Sequence, residues 1–193
     1  MKYFTSDWHI QHKKIVEFTD RGICTTQKNH DDWLLDTVNS SGITNNDQLW
    51  ILGDFAFNQD VKYLSEFLNK IKGQKFIIKG NHDNSKTLNA LVESKVLQGW
   101  YQYKKINVNI DNTDKDVCLF HFPIMSWEKQ GRGSWHLHGH SHGNLQGSQG
   151  FMLDVGIDNA YNLYGEHKVF TEEMIKEYMQ KQTQYTSDLH RKG

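Results

Sequence analysis

Gln48-Leu49-Trp50-Ile51-Leu52-Gly53-Asp54 and Lys75-Phe76-Ile77-Ile78-Lys79-Gly80-Asn81-His82-Asp83 share one layout: an apolar run, a glycine, then side chains able to bind protons or metals. Each run is short enough to be a buried strand. Between them Val61, Leu64, Phe67, Leu68 and Ile71 recur at helical spacing, and Gly73 supplies a stop. Strand, polar loop, helix, strand, polar loop is the order expected of an α/β protein.

The layout extends in both directions. Upstream, residues 2–6 read as a strand ending at Asp7-Trp8-His9, and Asp31 and Asp32 lead a helix with Trp33, Leu34, Thr37 and Val38 on one face. Downstream, a helix bearing Leu88, Leu91 and Val92 takes Asn84 or Asp83 as its cap. Ile106, Val108 and Ile110 then alternate at period two, residues 111–114 break the run, and Val117-Cys118-Leu119-Phe120 completes a hairpin ending at His121. Further strands are expected over 134–137, 151–155 and 167–170. Thr171 caps a last helix with Met174, Ile175, Tyr178 and Met179, and the polar tail beyond Gln180 should fray. The pattern predicts a single α/β domain over residues 1–193 with two sheet regions, without repeats or linkers.

Composition narrows the function. A net charge of -1 provides no cationic field for nucleic acid, while 37% hydrophobic and 12% aromatic residues suit a packed core. Cys24 and Cys118 lack metal-ligand spacing and fit reduced thiols. There is no room for a signal peptide before Asp7 and no apolar run of membrane-spanning length, so a soluble cytoplasmic protein without a membrane partner is expected.

Five motifs carry chemistry: Asp7-Trp8-His9, Gly53-Asp54, Gly80-Asn81-His82-Asp83, a lone His121, and Gly139-His140-Ser141-His142. In extended backbone Asp7 and His9 would project to one side. The two oxygens of Asp54 could each take a different metal, as bridging carboxylates do. Asn81 can ligate without adding charge. In Trp135-His136-Leu137-His138-Gly139-His140-Ser141-His142-Gly143, alternation places His136, His138 and His140 on one face, with the glycines turning His140 and His142 toward separate ions. Taken singly, these motifs fit a solvated loop, a turn, a helix cap or a surface metal-binding tract; together, each at a strand end, they fit one site.

In this order and context the motifs resemble the calcineurin-like metallophosphoesterase superfamily, over Asp7 to His142. The resemblance implies a four-layer α-β-β-α sandwich of two mixed sheets flanked by helices. It implies a first metal held by Asp7, His9, Asp54 and His142 and a second by Asp54, Asn81, His121 and His140, with manganese foremost and iron, zinc, nickel or cobalt as alternatives. The implied reaction is hydrolysis of small phosphodiesters or phosphomonoesters, nucleotides and cyclic nucleotides among them, by hydroxide held between the ions, with His82 as general acid. The alternatives are a non-catalytic scaffold of the same fold and a nuclease on single-stranded nucleic acid.

The departures are informative. Phosphoprotein phosphatases of the superfamily carry Gly-Asp-x-Val-Asp-Arg-Gly and Gly-Asn-His-Glu, against Gly53-Asp54-Phe55-Ala56-Phe57-Asn58 and Gly80-Asn81-His82-Asp83 here. The missing arginine removes a bidentate phosphate clamp, which makes a phosphoprotein substrate unlike this chain. Of Arg21, Arg132 and Arg191, the glycine-flanked Arg132 is expected nearest a phosphate. His12 is expected to support a ligand or touch the substrate, and His136, His138, Asp154 and Asp158 are expected to be mostly structural, some bracing ligands.

Overall fold

The computed structural model describes residues 1–19, 21, 26–145, 147 and 150–185. The expectations for Cys24, Arg191 and the end of the tail lie outside the described residues. The chain runs through β1 (Lys2–Thr5), α1 (Ile15–Phe18), α2 (Gln27–Asn39), β2 (Gln48–Ile51), α3 (Val61–Leu68), β3 (Gln74–Ile78), α4 (Ser85–Glu93) and β4 (Gly99–Tyr101). It continues through β5 (Tyr103–Ile110), β6 (Thr113–Phe120), β7 (Trp135–His138), β8 (Met152–Asp154), α5 (Ile157–Tyr164), β9 (Phe170–Thr171) and α6 (Glu172–Met179).

Two mixed sheets result, in the orders β4-β3-β2-β1-β9 and β5-β6-β7-β8. The first is parallel except at β9, and the second is parallel except for the β5–β6 hairpin. Strand alternation sorts the core into layers. Tyr3, Leu49, Ile51 and Ile77 pack with Leu34, Val38, Leu64 and Leu88 of the helices outside the first sheet. Phe4, Trp50, Leu52 and Ile78 face the other way, onto Val117, Leu119, Trp135 and Leu137 of the second sheet, with Ala160 and Ile175 closing the layer. Two sheets flanked by helices therefore bury β1 to β3 on both faces, which is why those strands read as continuous apolar runs. Cys118 is buried and packs with Trp127 and Met152 in a third, smaller cluster.

Capping explains most helix starts: Asp60, Asn84 and Thr171 accept from the backbone N–H of Tyr63, Lys86 and Met174. Asn84 rather than Asp83 caps α4. The expected start of α2 at Asp31 and Asp32 is too late, because Thr26 accepts from Asn29 N and begins the helix at Gln27. The α3 helix ends at Leu68, although Ile71 stays in its core cluster and Gly73 sits at φ 84°. The hairpin break is two residues, not four: Asp111 and Asn112 have φ 51° and 62°, the pair of left-handed residues that matches strand twist in a tight turn. The strand expected over 167–170 is met only at Phe170, because β9 spans Phe170–Thr171. The short α1 and β4 carry too few residues for periodicity, and α5 is disguised by Asp158, Asn159 and Asn162, which are weak helix formers. Among the described residues no helix is long and apolar enough to cross a membrane.

Candidate metal centre

Parallel strands bring their C-terminal ends to one edge, and the motifs follow those ends: Asp7 and His9 after β1, Asp54 after β2, Asn81 and His82 after β3. The second sheet delivers His121 after β6, and His140 and His142 after β7, to the same place. The ligand atoms of Asp7, His9 and His142 lie within 4.8 Å of one another, as do those of Asp54, His121 and His140. Asp54 joins the groups, with Oδ2 3.8 Å from His9 Nε2 and Oδ1 3.5 Å from His121 Nε2. Asn81 Oδ1 lies 3.0 Å from His121 Nε2, so all seven expected ligating residues meet.

The backbone that achieves this is not extended. Asp7, His9, Asp54, His140 and His142 have φ of 59°, 52°, 49°, 69° and 48°, a left-handed region that ordinary side chains avoid and that clusters at functional sites. The expectation that Asp7 and His9 share a side by strand alternation is corrected: β1 ends at Thr5, and bonds from Asp7 N to Gly53 O (3.0 Å) and His9 N to Asp54 O (2.9 Å) set their direction. Likewise β7 ends at His138, so His140 leaves the face that His136 and His138 occupy. Gly139 does not make the turn. A Cβ there would fall 1.7 Å from Ser6 Oγ, so its role is close approach to β1. At Gly53, φ is 93° and a Cβ would lie 2.3 Å from His121 Nδ1, so both reasons apply.

The donor set fits cations. His121 Nδ1 donates to Leu52 O at 2.8 Å, which leaves Nε2 of a neutral ring as a lone pair facing the oxygens of Asn81 and Asp54. Although burial opposes it, Asp54 and Asp7 raise the proton affinity of His121; with that proton gone, three acceptors converge there, an arrangement a divalent cation satisfies. In the other group His142 Nδ1 donates to Asp158 Oδ2 at 2.6 Å, and its Nε2 lies 3.3 Å from His9 Nε2. Burial and nearby Asp154 raise the pKa of Asp7, which is fully buried and accepts from His140 N. Burial opposes charge on Asp54 too, but His121 and the N–H of His82 hold its carboxyl well below the usual range.

One buttress has no local sequence signal. Arg21, 1% exposed, uses all of its N–H donors: Nε and Nη2 grip Asp158 at 2.9 and 2.8 Å, Nη1 reaches Trp8 O and His30 Nε2, and Nη2 reaches Asp7 O at 2.6 Å. It thereby fixes the left-handed turn and orients the carboxylate behind His142. His30 passes the chain of bonds to Asp31, which also accepts from Tyr63. Asp83, expected as a possible cap, instead accepts from Phe55 N, Ala56 N and Gly80 N and ties the β2 loop to the β3 loop. Asp154 does the same for the histidine loop through Ser141 Oγ, Gly143 N and Gly156 N.

His82 stands at the rim, its side chain 44% exposed and Nε2 3.9 Å from Asp54 Oδ2. His12 stacks on Phe57 at 4.3 Å and lies 5.5 Å from the His9 ring. His136 is buried and pushed down to about 3 by burial, and its neutral ring donates to one of the two carbonyls beside its nitrogens, Cys118 O or Phe122 O. Arg132 is not at the site. It lines a shallow depression with Asp114, Asp116 and Lys129, five residues of strand from His121, or about 17 Å. Being close in sequence to the histidine tract is misleading there, because residues that precede β7 lie at the opposite end from those that follow it.

The fold and its candidate centre thus define an α/β two-sheet protein with paired histidine–carboxylate groups at one sheet edge, and no protein-family model matches the chain. It is similar to the gene 66 protein of Mycobacterium phage L5, 25% identical over 192 residues that cover 87% of this chain and 91% of that protein. The gene 66 protein of Mycobacterium phage D29 is 28% identical over 185 residues, covering 83% and 89%. A solved protein of unknown function from Aquifex aeolicus shares the fold, with a TM-score of 0.66 and 21% identity over 92% of this chain and 98% of that one.

Proposed function

We propose that this chain is a binuclear metal-dependent phosphoesterase acting on phosphodiesters or phosphomonoesters of small molecules. The observation that carries the reading is Asp54, whose two oxygens address His9 on one side and His121 on the other. A carboxylate so placed can hold two cations at the short separation that phosphoryl transfer uses. When bound, two such ions would supply Lewis acidity toward the phosphoryl oxygens and ease deprotonation of an attacking water. Manganese is the first ion to try, and donor chemistry of nitrogen and oxygen without thiolate also accommodates iron, zinc, nickel or cobalt.

The chain's own residues divide the remaining work. Asp7, His9 and His142 form one ligand group and Asn81, His121 and His140 the other, both completed by Asp54. The exposed ring of His82 is within reach of a leaving oxygen at the rim and can give it a proton. An exposed imidazole beside a full ligand set supports catalysis over a scaffold role.

Protein stripped by a chelator and reloaded with Mn²⁺ should bind about two ions per chain by elemental analysis. It should hydrolyse bis(p-nitrophenyl) phosphate only after reloading. An active protein with one ion would sink the binuclear reading, and a fully loaded protein inert toward both diesters and monoesters would sink the phosphoesterase reading.

A further inference from the structure

A cleft of about 510 Å³ opens from His9, His142 and His140 and runs between α1 and α5. Its volume is that of a small-molecule site rather than of a water-filled gap. Phe18 on one wall is 71% exposed and Tyr161 on the other is 39% exposed, a solvation cost with no return in core packing. Tyr161 is held flat by stacking on His167 at 4.6 Å. Asn144 and Asn162 add amide groups to the lining. No lysine or arginine is among the described residues that line the cleft, and the charge of Asp158 is taken up by Arg21 and His142.

These features select the ligand's chemistry. A polyanion would need cations along its path, which the lining does not provide. An aliphatic chain would strip water from the two amides without giving them partners. A flat ring with polar edges satisfies both the exposed aromatic faces and the amides. We propose that the cleft receives an uncharged heteroaromatic substituent of the ester, the class to which nucleobases belong, stacked against Phe18 and Tyr161 with Asn144 and Asn162 addressing its edge. The ester itself is supplied by the phosphoesterase reading; binding of the ring does not depend on it.

Two measurements keep those ideas apart. Adenosine, which has no phosphate, should bind the metal-free protein in saturation-transfer NMR. The F18A/Y161A double variant should lose that signal, while L163A, on the same helix but outside the lining, should keep it. With Mn²⁺ loaded, thymidine 5′-(p-nitrophenyl) phosphate should be cleaved with kcat/KM about tenfold above methyl p-nitrophenyl phosphate, the scale of one base-aromatic stack. F18A/Y161A should erase the difference between the two esters, chiefly through KM. Equal kcat/KM for the two esters in the unaltered protein, or adenosine binding that survives the double variant, overturns the ring cleft. Adenosine binding without cleavage of either ester upholds the cleft and rejects the phosphoesterase reading alone.

Discussion

The two halves of the centre use the same side-chain types and anchor them differently. Behind His142 stands an ion pair: its Nδ1 donates to Asp158, which Arg21 grips with two nitrogens while also holding the carbonyls of Asp7 and Trp8. Behind His121, among the described residues, stands only the carbonyl of Leu52, and His140 and Asn81 face solvent. A buried charge network orients ligands rigidly but is costly to break, whereas a backbone carbonyl needs no partner beyond the strand that carries it. On the proposed binuclear reading the first half would therefore be prepared for its ion in advance, and the second would be the one that solution can load and unload. The first ion should bind more tightly and exchange more slowly.

The harshest way to break this comparison is to remove the residue both halves share. Asp54→Asn should lower occupancy of both ions and cut turnover on every substrate by more than about 10²-fold, beyond what loss of an outer partner costs. Elemental analysis that still finds both ions would remove Asp54 from the bridge. His82→Ala should act on neither half. Metal content should hold while turnover falls about 10²–10⁴-fold for a poor alkoxide leaving group and far less for nitrophenolate, which departs unprotonated. Equal losses with both leaving groups would reject proton donation.

A finer test touches one half only. Asp158→Asn should weaken the first ion about 10–100-fold in titration calorimetry and leave the second unchanged. Arg21→Met breaks the network from the other side, removing the bonds to Asp158, Trp8 O and Asp7 O together, and should cost about 3–5 kcal/mol of stability as well. Equal weakening of both ions by Asp158→Asn would show that the halves are not separately anchored.

The same contrast marks what could be read in the sequence. Each ligand follows a strand whose apolar run is visible, so Asp7, Asp54, Asn81, His121 and the histidine loop were legible as strand-end residues. The two-sheet α/β fold was legible for the same reason: alternation and run length are local signals. Arg21 was not, because its partners are Asp158, far along the chain, and backbone carbonyls that any residue could present. Arg132 was misplaced since glycines on either side signal a turn, not which end of β7 that turn occupies. The left-handed ligand residues escaped too, as no pattern of side chains reports φ at Asp7 or His142.

Acid should empty both halves, where substitution separates them. Each contains one imidazole of raised proton affinity: burial opposes charge on His142 and on His121, but Asp158 and Asp54 respectively outweigh it. Each also contains one of lowered affinity, His9 and His140, where burial dominates and neighbouring positive groups add to it. A raised histidine holds its proton to higher pH, and that proton must leave before the ring can ligate, so both ions should be lost as pH falls. If one to two protons are displaced per ion, each tenfold increase in Mn²⁺ should move the acidic limb of activity down by about 0.5–1 pH unit. Free Mn²⁺ followed by electron paramagnetic resonance during an acid titration gives the release directly. Metal-dependent midpoints are expected for both ions, with the more weakly anchored second ion released no later than the first. Release of the first ion before the second would show that its half is not the more tightly anchored one, and a midpoint indifferent to Mn²⁺ would show that ligand protonation is not what ends activity.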